Sequence, residues 1–165
     1  MGERERLRNA DVQFRGARIR AIGARALNAG VSRYCDRGVP INPQIVPWSA
    51  EAAEVLATAR ASERDLHDYR AQVNSGAAQL WQFPHTKPTY LLIRVERYSN
   101  GDQDLVLVAG AGINTRAVIQ WASDLAHRNN LNLRAHITRP GFVRLLQNNG
   151  WHQSEIVMRR EHGQQ

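Results

Sequence analysis

The residues best suited to chemistry lie in one stretch, Leu105–Arg116, where an apolar strand runs into a glycine-bearing turn and a helix follows at once. Gly110 and Gly112 let the backbone turn tightly, and the first N–H groups of a helix have no partners within the helix. These N–H groups and the positive end of the helix dipole would converge on one point, an arrangement that binds phosphate. The stretch therefore predicts a phosphate cradle built from the backbone amides of Ala111–Thr115, with the Arg116 guanidinium as a charge partner.

Length and composition predict one globular domain spanning residues 1–165, with 42% apolar and 22% charged residues. No apolar run approaches the roughly 20 residues that span a bilayer, and no apolar segment of a signal peptide follows the charged Met1–Arg8. A single cysteine, Cys35, rules out an internal disulfide and argues against a cysteine-based zinc site. No metal-ligand spacing appears elsewhere. We therefore expect a cytoplasmic protein without a membrane partner or a bound metal.

Positive charge is concentrated near the N-terminus of a chain whose net charge is +7. Residues 1–37 hold nine arginines against four acidic residues, whereas lysine occurs once in the whole chain, at Lys87. A codon bias towards arginine and alanine explains this excess, and contact with a polyanion such as nucleic acid explains it as well. Because the stretch lacks the clustered aromatic side chains of a single-strand binder, nucleic acid is the lesser of these two interpretations.

Residues 1–76 form an Arg/Ala-rich part of the chain that is predicted to be mainly helical. Ser49 is a good N-cap, because its hydroxyl can accept a hydrogen bond from the first turn of the helix that follows. The predicted elements are a short strand near Val12–Arg15, a helix to about Leu27, a turn-rich loop over Gly38–Pro47, a helix from Ser49 to about Arg60, and a helix over Glu63–Val73 that Asn74–Gly76 closes.

Residues 77–165 are predicted to be a strand-rich core. Asn100–Gly101 is a strong hairpin signal, so the three strands around it should form an antiparallel meander. Trp81, Trp121 and Trp151 are predicted core residues. The predicted elements are strands over Gln79–Phe83, Tyr90–Arg97 and Asp104–Ala109, a helix over Asn114–Arg128, a strand over Leu131–Ile137, a short helix capped by Thr138, and a strand over Trp151–Glu161.

This order of elements resembles the core of the GCN5-related N-acetyltransferase (GNAT) superfamily. In that superfamily the turn after the fourth strand carries Gln/Arg-x-x-Gly-x-Gly/Ala and binds the acetyl-CoA pyrophosphate through backbone amides. Ala109–Asn114 takes this place here: Gly112 is kept, whereas Ala109 replaces Gln/Arg and Asn114 replaces Gly/Ala. The resemblance implies an α+β (or α/β) fold of GNAT type, with a mixed, mostly antiparallel sheet flanked by helices.

A second signature of the superfamily, Asn-x-x-Ala-x-x-Leu-Tyr-x-x-x-Gly-Phe, resembles the stretch Arg139–Trp151. The Gly150–Trp151 ending fits this signature, but Leu146 stands where the superfamily has a tyrosine that protonates the leaving thiolate. Leucine has no proton to donate, so the resemblance implies a chain whose usual acid is missing.

The site that the resemblance implies contains acetyl-CoA, held by residues 107–116 without a metal. The residues are Leu107, Val108, Gly110, Ala111, Gly112, Ile113, Asn114, Thr115 and Arg116. The amide that stabilises the oxyanion would come from Leu107 or Val108. Glu96 is the candidate base for the amine, although a carboxylate paired with Arg94 or Arg97 is the commoner role for such a residue. His136 could face a cleft, but a surface position is the simpler expectation.

Two functions remain open, and whether the chain is an enzyme stays undecided. The chain also resembles small phage-encoded GNAT-like proteins, some of which are carried in virions. We therefore expect a GNAT-fold protein with degenerate motifs that acts as a structural or interaction component. Its partners would be virion proteins or further copies of itself, in the host cytoplasm or the virion. The alternative is an active acetyl-CoA-dependent N-acetyltransferase that modifies an amine of a small molecule or protein.

Overall fold

The computed structural model describes residues 35–36, 39–40, 43–85, 87–137, 140–148 and 150–153. The predicted strand near Val12–Arg15, the predicted helix to Leu27 and the predicted cap Thr138 lie outside these residues. The strands are β1 (Cys35–Asp36), β2 (Val39–Pro40), β3 (Gln44–Val46), β4 (Gln79–Phe83), β5 (Thr89–Arg97), β6 (Gln103–Ala111) and β7 (Asn132–Ala135). The helices are α1 (Ala50–Ala57), α2 (Glu63–Asn74), α3 (Thr115–Arg128) and α4 (Pro140–Gln147).

Among the described residues, five strands form a mixed sheet in the order β3-β4-β5-β6-β7. Every neighbouring pair is antiparallel except β6 and β7, which run parallel and are joined through α3. The predicted meander is confirmed, because β4, β5 and β6 follow one another in sequence and in space. Its hairpin closes where the Tyr98 N–H donates to the Asp102 carbonyl at 2.9 Å and Gly101 adopts φ +91°. The chain divides into two compact units, one ending at Ala135 and one beginning at His136.

Helix α3 covers one face of the sheet. Its apolar residues recur at spacings of three and four, as the sequence predicts, and those facing the sheet are buried. The Trp121 ring lies 4.9 Å from the Trp81 ring and 5.0 Å from the Phe83 ring, measured between centroids. Trp81 and Trp121 are therefore confirmed as core residues, whereas Trp151, in the second unit, is only half-buried.

Helices α1 and α2 lie on the opposite face. Ala52 and Leu56 of α1 are fully buried in a cluster with Leu80, Tyr90 and Leu92 of the sheet. Helix α2 has no fully buried residue and contributes partly buried apolar side chains to the same cluster. This core resembles a layer of helix on sheet, in which each element buries one apolar face against the next.

Serine caps define where α1 and α2 begin. The Ser49 hydroxyl accepts from the Ala52 N–H at 3.1 Å, which confirms the predicted N-cap. Ser62 forms a capping box with Asp65, in which each side chain bonds the backbone N–H of the other residue. The sequence analysis missed this box. Gly76 follows α2 with φ +73°, in the closing segment that the sequence indicates.

Two predicted elements differ from the structure. Strand β3 lies within the stretch predicted as loop. It is a three-residue strand at the edge of the sheet between Pro43 and Pro47, and the prediction failed because edge strands tolerate flanking prolines. Residues 151–153 are not in a strand, although a strand was predicted from Trp151 onwards. The Trp151 N–H instead donates to the carbonyl of Leu146 in α4 at 3.2 Å. The remainder of that predicted strand lies outside the described residues.

Among the described residues, no helix is both long and apolar enough to cross a membrane.

Candidate functional site

A register shift interrupts the pairing of β5 with β6. Leu92 lies opposite Ala109, but its neighbour Ile93 lies opposite Leu107. Val108 is thus an extra residue on β6, the arrangement of a β-bulge. Bulges redirect the backbone locally, and this one falls at the position where the sequence resemblance expects the amide that stabilises an oxyanion.

Strands β6 and β7 separate at the same point. Their parallel pairing runs from Asp104 opposite Asn132 to Leu107 opposite Ala135, and no further pair follows in the described part of the chain. Strand β6 nevertheless continues to Ala111, which lies opposite Tyr90 of β5. The segment 108–111 is therefore held by β5 on one side and, among the described residues, pairs with no strand on the β7 side. This opening exposes a length of backbone to a ligand that runs along the strand.

The turn after β6 is tightly packed against the start of β5. Gly112 has φ +129°, and a Cβ atom built on it would lie 2.5 Å from the Cα of Thr89 and 2.8 Å from the carbonyl oxygen of Pro88. The Thr89 hydroxyl donates to the carbonyl of Ile113. Thr89, only 5% exposed, is thus a buried polar residue that fixes the turn. This role of Thr89 was not predicted, because nothing in the neighbouring sequence marks this threonine as a partner of the turn.

Helix α3 begins without the side-chain cap that α1 and α2 have. Its N-cap residue, Asn114, adopts a left-handed conformation with φ 64° and ψ 27°, and its side chain makes no capping hydrogen bond. The first turn carries no acidic residue and does carry Arg116, which is exposed. The positive end of the α3 dipole therefore lacks an anionic side chain of its own, which leaves it suited to an external anion.

Glu96, the candidate base, belongs to a different part of the sheet. Its carboxylate accepts hydrogen bonds from Arg94 and Arg134, and its side chain is 16% exposed. It lies opposite Asp104, four residues before the bulge residue Val108. At about 3.3 Å per residue this places Glu96 roughly 13 Å along the strand from the bulge. The pairing with Arg94 is the one that the sequence analysis offered as the commoner role of Glu96.

Glu96 is part of what we call the polar cluster, a set of interacting polar side chains on the sheet face that α1 and α2 cover in part. The side chain of Asp104 is only 13% exposed. It accepts from the Tyr98 hydroxyl at 2.8 Å and from the Asn132 amide at 3.3 Å. Burial, followed by this hydrogen bond, raises the pKa of Tyr98 to about 12. The members of the polar cluster are Arg94, Glu96, Tyr98, Asp104, Asn132 and Arg134.

Two residues singled out in the sequence remain, His136 and Cys35. His136 is exposed and is the first residue of the second unit. The side chain of Cys35 lies outside what the structure describes. Among the residues that are described, no group of three or more His, Cys, Asp or Glu side chains is placed to hold a metal ion.

Comparisons with known proteins identify the fold. No family model and no curated protein matches this sequence. Solved structures do match. A transcriptional regulator from Bacillus halodurans C-125 matches with a TM-score of 0.55 and 12% identity, over 73% of this chain and 99% of that chain. An acetyltransferase from Trypanosoma brucei matches with a TM-score of 0.51 and 11% identity, over 73% and 99%. A ribosomal-protein-alanine N-acetyltransferase from Brucella melitensis biovar Abortus 2308 matches with a TM-score of 0.51 and 16% identity, over 74% and 100%.

These matches confirm the predicted α+β architecture of GNAT type, with a mixed sheet flanked by helices. At identities of 11 to 16% the likeness shows the fold alone.

Proposed function

We propose that this chain binds acetyl-CoA at the opening between β6 and β7 and transfers the acetyl group to an amine. One observation carries the proposal: the bulge at Val108 and the end of the β6–β7 pairing coincide, one short turn before a helix start that lacks a side-chain cap. A ligand lying along the open segment 108–111 would place its phosphates at α3 and its far end at the bulge.

The turn would hold the pyrophosphate through backbone groups. The N–H groups at the start of α3, within 113–115, receive no capping hydrogen bond from the Asn114 side chain, and the exposed Arg116 guanidinium adds a positive charge. The contact of Gly112 with Thr89 fits this role, because it fixes the turn by backbone and hydroxyl contacts that leave the amides outside the hydrogen bond of Thr89. Of the residues named from sequence, Leu107 pairs with both neighbouring strands, so Val108 is the better candidate for the oxyanion amide.

The transfer step needs little from side chains. The amine lone pair attacks the thioester carbonyl, the C–S bond breaks, and the departing thiolate takes up the proton that the amine releases, directly or through water. An N–H group at the bulge would stabilise the oxyanion of the tetrahedral intermediate. With leucine at 146, the resemblance leaves no tyrosine to speed the protonation, so we expect a slow enzyme.

A second function is favoured by that same leucine. Leu146 is buried, with 5% of its surface exposed. If the acid was lost because the chemistry was lost, the chain would serve as a non-catalytic module in an assembly, such as a phage particle, with other proteins or copies of itself as partners. Binding of acetyl-CoA without transfer, or no binding at all, would favour this alternative.

Calorimetry with acetyl-CoA tests the binding step. Arg116→Glu should weaken acetyl-CoA binding by about tenfold or more, because it places a carboxylate beside the bound phosphates. It should not destabilise α3, since an acidic residue is favourable in the first turn of a helix. Arg64→Glu is the matched control: Arg64 is also exposed in the first turn of a helix, α2, and also the second residue of that helix.

The outcomes separate the two functions. Affinity in the micromolar range that Arg116→Glu lowers and Arg64→Glu does not would support acetyl-CoA binding at this turn. Release of free CoA thiol in the presence of a panel of primary amines would then support transfer. Equal loss in both variants, or no binding by the unaltered chain, would contradict the proposed site.

A further inference from the structure

Strand β7 is attached to the sheet through side chains as well as through backbone pairing. Its two side chains on the face shared with Glu96 are Asn132 and Arg134. The Asn132 amide donates to the carboxylate of Asp104 on β6, at 3.3 Å, and Arg134 donates to the carboxylate of Glu96 on β5. The contact between Arg134 and Glu96 crosses β6, so it connects β7 directly to β5.

Further contacts hold Arg134 in place. Its Nε atom lies 3.8 Å from Asp104 Oδ2, and its guanidinium carbon lies 6.0 Å above the centre of the Tyr98 ring. Glu96 is fixed in turn by Arg94, whose Nε donates to it at 2.8 Å and whose Nη1 donates to Gln72 of α2 at 3.1 Å. The four charged side chains of this network, those of Arg94, Glu96, Asp104 and Arg134, are 13 to 27% exposed, so water screens their charges less than at an open surface.

Strand β7 depends on such side-chain contacts more than β6 does. It has four residues, and β6 is its only strand neighbour in the described part of the sheet. A parallel pair of this length forms few backbone hydrogen bonds, and its residues are all at least partly exposed. The last pair, Leu107 with Ala135, comes one residue after Arg134 and marks the point at which β6 and β7 separate.

We propose that Glu96 and Arg134 are positioning residues: they clamp β7 across β6 and thereby fix where the strands separate to admit acetyl-CoA. This inference rests on the proposed function for its ligand, whereas the clamp itself is a property of the sheet. A clamp one residue before the opening keeps the strands paired as far as Leu107 and apart from Val108 onwards. Without this clamp, β7 would detach from β6 more often, and the point at which the two strands separate would vary.

Glu96→Gln tests the clamp, because it keeps the shape of the side chain and removes the charge that holds both arginines. Asp102→Asn is the matched control: Asp102 is an exposed carboxylate in the hairpin next to the cluster, bonded to Asn100 at 2.6 Å and not to β7. The first readout is amide hydrogen exchange at residues 133–135, compared with that at residues 91–93 in the centre of β5. The second is the calorimetric Kd for acetyl-CoA.

Glu96→Gln should speed exchange in β7 at least tenfold while leaving β5 protected, and should raise the Kd for acetyl-CoA about fivefold or more. Arg134→Lys, which keeps the charge but not the planar fork, should give an intermediate effect on both. Asp102→Asn should change neither. If Glu96→Gln loses its cooperative urea transition, Arg134→Lys provides the decisive comparison.

Unchanged exchange in β7 would overturn the clamp. Faster exchange in β7 with an unchanged Kd would overturn the positioning role. If the unaltered chain bound no acetyl-CoA, the proposed function would fail and the positioning role with it, while the exchange data would still decide whether Glu96 and Arg134 clamp the strand.

Discussion

At the scale of single residues, the contact between Gly112 and Thr89 determines the shape of the candidate turn. Gly112 combines a positive φ with a backbone approach too close for any side chain. The buried Thr89 hydroxyl donates a hydrogen bond to the carbonyl of Ile113. Thr89 therefore contacts the turn at two successive residues, Gly112 and Ile113. Neither residue would touch a ligand through its side chain, yet both decide where the amides point.

Gly112→Ala should therefore destabilise the fold by roughly 2 kcal/mol or more, because the new methyl group must displace the backbone of Thr89. Gly76→Ala is the control, since Gly76 also has a positive φ but has open space where its Cβ would lie. It should cost about 1 kcal/mol. Urea unfolding of both variants measures the difference, and equal losses would mean that strain in φ alone explains the effect.

Tyr98 is the residue whose titration reports on the polar cluster. Its pKa of about 12 lies above the ordinary value of 10.0, because burial and the hydrogen bond to Asp104 both favour the neutral phenol. A group whose pKa rises on folding stabilises the folded state as long as the pH lies below the pKa of the group in the unfolded chain. That contribution should be full below about pH 10 and be lost as the pH rises towards 12.

Asp104→Asn should lower the pKa of Tyr98 part of the way towards 10.0, because the contribution of burial, the larger cause, remains. The ultraviolet absorbance of the ionised phenol measures this, with Tyr98→Phe identifying the transition among the other tyrosines. Asp102→Asn, which removes a neighbouring exposed carboxylate, should leave it unchanged. A pKa near 10 in the unaltered chain would contradict the hydrogen-bonded arrangement of Tyr98 and Asp104.

At the scale of elements, the three helices that the structure describes in the first unit begin in two different ways. Helices α1 and α2 satisfy their first N–H groups with serine side chains, and α2 adds a reciprocal bond from Asp65. Helix α3, which starts at the candidate turn, has no such bond from Asn114. The helix at the opening is thus the one whose start is left available to a ligand.

Ser62→Ala should cost about 1 kcal/mol of unfolding free energy, because the capping box of α2 is lost. Asn114→Gly should cost little or be mildly stabilising, because glycine adopts the left-handed conformation of Asn114 freely and no side-chain hydrogen bond is removed. Thermal unfolding followed by circular dichroism compares the two. A large loss for Asn114→Gly would show that its side chain caps α3 after all.

At the scale of the first unit, two cores on opposite faces of the sheet hold the opening in place. The core under α3 depends on large rings, and Trp121 contacts both Trp81 and Phe83. The core under α1 is aliphatic apart from Tyr90, whose hydroxyl donates to Glu51 at 2.8 Å and so connects α1 to β5. Strand β6 contributes to both cores, which is why the turn at its end is well positioned.

Trp121→Ala should destabilise the fold by about 3–5 kcal/mol, since it removes the largest side chain under α3 and leaves a cavity. Trp121→Phe should cost clearly less, because the indole Nε1 is buried without an acceptor among the described residues and phenylalanine removes that donor. Guanidinium unfolding measures both. Similar losses in the two variants would show that the volume removed does not determine the cost.

Local signals explain which parts of this structure the sequence predicts. Strand β4 has the predicted bounds and α3 differs only in its first residue, because alternation and helical periodicity are written in consecutive residues. The glycines of the turn were also locally visible. The burial of Asp104 was not, since it depends on Tyr98 and Asn132 approaching from other strands. Strand β3 was not locally visible either, because the prolines on either side of it are typical of a loop, and only the sheet shows that it is an edge strand.

The extra residue at Val108 also changes the face of the sheet to which the odd-numbered side chains of β6 point. Before it, Leu105 and Leu107 face α3; after it, Ala109 and Ala111 face α1, although all four are odd-numbered. Deletion of Val108 would make Leu107 and Ala109 neighbours in an unbroken strand, so the two would still face opposite sides of the sheet and keep their partners on β5. Both cores and the start of α3 would therefore stay where they are, and the bulge alone would be lost. The extra residue is thus an insertion that the packing of the sheet does not require.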